Sequence, residues 1–167
     1  MNHYKRINNL FGWIAFAISA FVYLSTIEPT GSFWDCGEFI ASSYRLQVGH
    51  PPGAPLFLML GRVFSLMSGG DIRLVSVMIN VLSALMSAFT ILFLFWTITA
   101  IAKKIVVKSE EITSAQLIGI MGAGLVGSLA YTFSDSFWFS AVEGEVYASS
   151  SFFTAIVFWV MFKWDAS

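Results

Sequence analysis

The sequence predicts an all-α integral membrane protein, with about four transmembrane helices and interfacial amphipathic helices in its first outer loop. Hydrophobic residues make up 57% of the 167 positions and charged residues only 11%, with a mean hydropathy of +0.76, the reverse of a soluble domain's balance. The apolar residues gather into runs long enough to cross a bilayer, at about 10–27, 72–102, 115–133 and 146–164. The charges gather between those runs, in an outer loop over 28–71, a cytoplasmic loop over 103–114 and a second outer loop over 134–145. The net charge of -1 says nothing about nucleic acid, but there is no basic stripe to hold phosphate backbones, so no nucleic-acid partner is expected. The single cysteine, Cys36, excludes an internal disulfide.

The first run, Leu10 to Ile27, is about 27 Å of helix at 1.5 Å per residue. With Lys5 and Arg6 before it, the start also resembles a signal peptide, and Ala17-Ile18-Ser19 offers a weak cleavage site. The run continues through Phe21-Val22-Tyr23-Leu24, past the point of cleavage, so an uncleaved first span is expected. Glu28-Pro29-Thr30-Gly31 ends it. Ser32-x-x-Asp35 fits a capping pattern, which predicts a short helix from Ser32 that Gly49 and Pro51-Pro52 bring to a stop. Ala54 to Met67 is apolar but short, with Arg62 in its middle, and reads as a second interfacial helix. Ser68-Gly69-Gly70-Asp71 is a turn before the long run Ile72 to Ala102, a tilted second span. In the third, Gly119, Gly122, Gly124 and Gly127 form a small-residue face for close helix packing. Val146 to Trp164 is the fourth.

Four spans place Lys5, Arg6, Lys103, Lys104, Lys108 and Lys163 on one side of the membrane and Arg45, Arg62 and Arg73 on the other. The richer side is expected to be cytoplasmic, which puts the N-terminus there and the outer loops in the periplasm or lumen. A bacterial inner membrane is the expected setting.

The chemistry-bearing residues lie in those outer loops. On a helix, Asp35 and Glu38 share one face, Ser42 and Arg45 continue it, and Phe33, Ile40 and Tyr44 take the opposite side. Two carboxylates one turn apart suit general-base work or part of a metal site, although Asp-x-x-Glu supplies only two ligands. An acid three residues after Ser32 also serves as a plain helix cap, and Glu38 as a solvated first-turn acid. His50 precedes two prolines and can donate to a phosphate or serve as a turn residue. Arg45, Arg62 and Arg73 can hold a lipid phosphate or snorkel to headgroups. Glu143 and Glu145, at the lip of the fourth span, are carboxylates on the same side as Asp35.

Two stretches carry a family resemblance: Trp34-Asp35-Cys36-Gly37-Glu38-Phe39-Ile40-Ala41-Ser42, then Leu46-Gln47-Val48-Gly49-His50-Pro51-Pro52-Gly53-Ala54-Pro55-Leu56. Together with Ser140-Ala141-Val142-Glu143-Gly144-Glu145-Val146-Tyr147, they resemble the transmembrane O-mannosyltransferase-like proteins of the GT-C glycosyltransferase superfamily, whose bacterial branch is common in Bacteroidetes. The resemblance implies the N-terminal part of a GT-C fold, in a chain that covers only a portion of a longer protein and is inactive alone. It implies Asp35 as the catalytic acid residue and Glu38 as its partner; His50, Arg45, Arg62, Arg73, Glu143 and Glu145, read from their own chemistry, are the substrate-binding candidates. It further implies a polyprenyl-phosphate sugar, of mannose, as donor and protein Ser/Thr hydroxyls as acceptor. No metal ligand set is assigned, and the need for a divalent metal is left open.

Two other classes compete. A transporter or lipid-handling protein would use Glu143, Glu145 and Arg62 along a substrate or proton path, but the acids cluster in loops and no span is plainly broken. A non-catalytic anchor subunit would use the polar island around Asp35 to hold a partner and would tolerate alanine there.

Overall fold

The computed structural model describes residues 2–51, 53–109 and 111–165. Those residues form seven α-helices in chain order and no strand: α1 (Asn2–Ser25), α2 (Cys36–Arg45), α3 (Pro55–Leu66), α4 (Val75–Val106), α5 (Ser114–Thr132), α6 (Asp135–Val142) and α7 (Val146–Asp165). A 3-10 turn, Ile72–Leu74, leads into α4. Four stretches are long and apolar enough to cross a membrane: His3–Ser25, Ile72–Val106, Ser114–Thr132 and Val146–Asp165. The fold is an all-α membrane fold, as the composition and the apolar runs predict.

Helix α4 is the axis. It is apolar on every side, and 61% of its most hydrophobic window is buried, against 6% for α7. A helix without a polar face belongs in the middle of a bundle, and α1, α3, α5, α6 and α7 all pack on α4. One side of it builds a core with α1, α5 and α6 around Ile91, Phe95, Tyr23, Ile120 and Phe137. The other builds a core with α2, α3 and α7 around Ile79, Leu82, Phe39, Phe57 and Ala148. The second core positions the loop helices that bear the polar island.

The glycines of α5 do not act as one face. A Cβ on Gly124 would come within 2.7 Å of both Phe95 and Thr99, and one on Gly127 within 2.8 Å of Ile98, so these two let α5 seat on α4. Gly119 and Gly122 would meet nothing within 4 Å and stand on the outward side. The helix opens on a capping box in which Thr113 and Gln116 satisfy each other's backbone N–H groups.

Three further expectations need correcting. Helix α2 starts at Cys36, not Ser32, because Phe33, Trp34 and Asp35 form a turn in which Trp34 has φ +61°, a left-handed value that a growing right-handed helix cannot contain. Asp35 is the residue before the helix, and its carboxylate makes no capping hydrogen bond. Ser42, expected on the water-facing side, is buried with Cys36, Phe39 and Ser43 against the second core, while Phe33 lies outside the helix and is exposed. The second outer loop carries a helix of its own, α6, which buries Phe137 and Ala141.

Candidate active site

Long-range hydrogen bonds at one end of the bundle set the frame. The Tyr23 hydroxyl donates to the Thr132 carbonyl, and the Trp138 indole to the Thr26 hydroxyl, tying α1 to α5 and α6. The Glu28 N–H donates to the Val142 carbonyl at 3.1 Å, so the chain leaving α1 runs beside the end of α6. Asn80, fully buried in α4, donates through Nδ2 to the carbonyls of Glu28 (2.7 Å) and Thr30 (3.1 Å). The segment that delivers Asp35 to the surface is therefore bolted to the central helix.

Asp35, Glu38 and His50 meet on that frame. Glu38, in the first turn of α2, accepts from the His50 backbone N–H at 2.7 Å and holds the ring Nδ1 at 2.9 Å with its other oxygen. The ring's far nitrogen, Nε2, lies 3.8 Å from Asp35 Oδ2. One imidazole thus stands between two carboxylates. Gly49 makes this possible, because even a Cβ there would sit 3.1 Å from Glu38 Oε1. After His50 the chain turns, closed by the Gly53 N–H on the His50 carbonyl; Pro52 lies outside the described residues. Hydrogen bonds from His50 hold the Glu38 carboxyl below its ordinary value, and the same contacts with Glu38, then Asp35 and Glu145, raise His50. All three side chains are about half exposed, so the site is open to water.

Behind this exposed group lies a buried one. The junction between α6 and α7 presses Glu143, Gly144 and Glu145 against the start of α2. Glu143 and Glu145 are 4% and 3% exposed, whereas the sequence places them on an outer loop. A Cβ on Gly144 would come within 2.9 Å of Asn80 Oδ1 and 3.3 Å of Ile40 and Ile79, so a larger residue there would have to displace Asn80. Burial, and then the negative charges of Glu143 and Asp35, push Glu145 up to about 7. Burial also raises Glu143, whose Oε2 has no hydrogen-bond partner among the described residues. The Cys36 thiol is buried beside these acids, held at the Ser32 and Gly144 backbones, and raised by burial.

Residues 35–167 match the sequence profile of the protein O-mannosyl-transferase TMEM260 N-terminal domain. The chain belongs to this family. It is 26% identical over 144 residues to protein O-mannosyl-transferase tmem260 of Dictyostelium discoideum, covering 86% of this chain and 16% of that protein. It is 27% identical over 143 residues to protein O-mannosyl-transferase TMEM260 of Mus musculus, covering 85% of this chain and 18% of the other. The chain therefore spans less than a fifth of these relatives' length. No solved structure matches it. The family assignment agrees with the resemblance read from the two motifs, and the matched segment begins at Asp35.

The arginines are dispersed. Arg62 donates to the Tyr44 carbonyl at 2.7 Å and lies over the Tyr44 ring, which pins α3 to α2. Arg73 is chelated by Asp71 at 3.0 and 3.1 Å. Arg45, in the last turn of α2, has no ion pair or hydrogen bond among the described residues and is the arginine still available to an anion. Ligand atoms of Asp35, Glu38 and His50 lie within 4.8 Å of one another, a spacing that a divalent cation can bridge if water or substrate completes its shell. Coordination through Nδ1 would break the Glu38 contact, whereas Nε2 is less committed. Sequence reasoning missed Asn80 and Gly144. A lone amide inside an otherwise apolar run is the signal that marks Asn80; Gly144 shows its role only once α4 stands beside it.

Proposed function

We propose that the full-length protein is a membrane glycosyltransferase that moves mannose from a polyprenyl-phosphate donor to Ser or Thr hydroxyls of proteins. The observation that carries this reading is the Asp35–His50–Glu38 group on a chain of this family. Asp35 is the carboxylate that takes the acceptor's proton as the hydroxyl oxygen attacks the anomeric carbon and the lipid phosphate leaves. Glu38 anchors His50, and His50 stands beside Asp35 with its Nε2 3.8 Å from the carboxylate. Both are positioning residues. Arg45, at the other end of α2 and without an ion-pair partner among the described residues, is the candidate cation for the leaving phosphate.

The layout supports a site at a membrane surface. The three residues stand at the end of the bundle where α1 gives way to two short helices of 10 and 12 residues. A donor anchored in lipid can reach such a place sideways while a polypeptide comes from water. This end faces the periplasm or lumen and the lysine-rich end faces the cytoplasm, following the asymmetry of Lys and Arg. In bacteria the host membrane is the inner one.

The test uses purified full-length protein in lipid nanodiscs with a Ser/Thr-containing protein acceptor. Labelled mannose is expected to move from the polyprenyl phosphate to hydroxyl groups. Proton-driven uptake of a solute, with no transfer from any of several lipid-linked sugars, would overturn the reading in favour of a transporter.

A further inference from the structure

At the other end of α4 lies a cavity of about 630 Å³ between the start of α1 and the last turns of α4 and α7. It is about 35 Å along the helix from Asn80 and so separate from the carboxylate group. Its rim carries Lys5, Lys103, Lys104 and Lys163, from all three helices. Lys104 is ion-paired with Asp165, which leaves the other three charges without an acidic partner among the described residues. Two of them are held over aromatic faces, Lys103 at 4.9 Å from the Tyr4 ring and Lys163 at 5.5 Å from the Trp159 ring. Such stacking fixes where each ammonium stands while leaving its N–H groups to donate. Deeper in, the walls are apolar and aromatic, with Trp96, Trp159 and Phe162.

This is a cationic mouth on an apolar, aromatic-walled cleft, at the ends of three membrane-crossing stretches. In a bilayer those ends lie at headgroup depth, where Trp, Tyr and Lys accumulate. Three lysines without an ion-pair partner at one mouth, with Glu111 the only acid among the described residues that line the pocket beside Lys5 and Lys103, favour an anion there, and the cleft's size suits one phosphate-bearing headgroup with the start of its chains. We propose that this cleft binds the headgroup of an anionic phospholipid, with Lys5, Lys103 and Lys163 contacting the phosphate and Trp159 and Trp96 flanking the first acyl carbons.

The full-length protein is reconstituted in nanodiscs of equimolar phosphatidylcholine and phosphatidylglycerol, and the lipids retained after mild extraction are counted by native mass spectrometry. Wild type should retain phosphatidylglycerol over phosphatidylcholine by at least five-fold, about the contribution of one lysine near a membrane surface. The triple variant Lys5→Gln, Lys103→Gln, Lys163→Gln should lose that preference, and the corresponding triple Lys→Arg variant should keep it. Lys108→Gln, outside the cleft, should change nothing. Absence of preference in wild type overturns the proposal and is the result expected if later parts of the chain fill the cleft. Equal loss on Lys108→Gln, retention in the glutamine triple, or loss in the arginine triple overturns it too.

Discussion

His50 is the residue on which the exposed group turns, because its ring Nδ1 and its backbone N–H are both held by Glu38 while Nε2 faces Asp35 at 3.8 Å. Its value is raised above 6.5 by Glu38, so this contact stabilises the fold fully below about pH 6.5 and is lost as pH rises through the raised value. Glu38 is lowered below 4.5, so its share is present above that and is lost as pH falls through the lowered value. Glu38→Gln should therefore bring the His50 midpoint, followed by NMR, back toward 6.5; an unchanged midpoint would show that Glu38 is not its anchor. Glu145 behaves in the opposite sense to Glu38. An acid raised from 4.5 to about 7 by burial binds more protons folded than unfolded, so stability falls as pH rises through that window. Glu145→Gln should flatten the decline of melting temperature between these pH values, and a variant as pH-dependent as wild type would refute the assignment. None of this burial is legible in sequence, where two acids flanking a glycine at the end of the 134–145 stretch read as an outer loop. It arises because Gly144 lets the turn reach α4.

At the level of elements, the spans were legible because each is a contiguous apolar run, and the loop helices because their periodicity and proline stops are local signals. The α2 boundary was not, since Ser32-x-x-Asp35 is a capping pattern whose outcome depends on Trp34 adopting φ +61°. Helix α6 was hidden by its brevity and by flanking acids. The glycines of α5 show the same limit, because spacing tells which positions are small but not which of them faces a neighbour. Gly124→Ala should destabilise the protein by about 1–3 kcal/mol, since its Cβ meets two side chains of the fully buried Phe95 and Thr99 at 2.7 Å. Gly119→Ala, in open space, should leave stability equal or slightly higher. Thermal unfolding in detergent measures both, and equal losses would mean that the α4–α5 contact is misassigned.

Across the whole molecule, α4 separates two polar ends of different chemistry, an acidic one with a histidine between carboxylates and a basic one with lysines over aromatic rings. The two ends were visible in the sequence as a segregation of charge, and the family as two motifs. The sequence does not show that Asp35, Glu38 and His50 converge while Arg62 and Arg73 are occupied elsewhere, because that depends on how the loop folds back on the second core. The direct test of the account is mannose transfer by the full-length protein carrying Asp35→Asn, which keeps the size of the side chain and removes the base. The account predicts a fall of at least about 100-fold in kcat, the usual worth of a positioned general base, with normal expression and an unchanged melting temperature. Transfer at the wild-type rate would contradict it, reducing Asp35 to a surface acid beside His50.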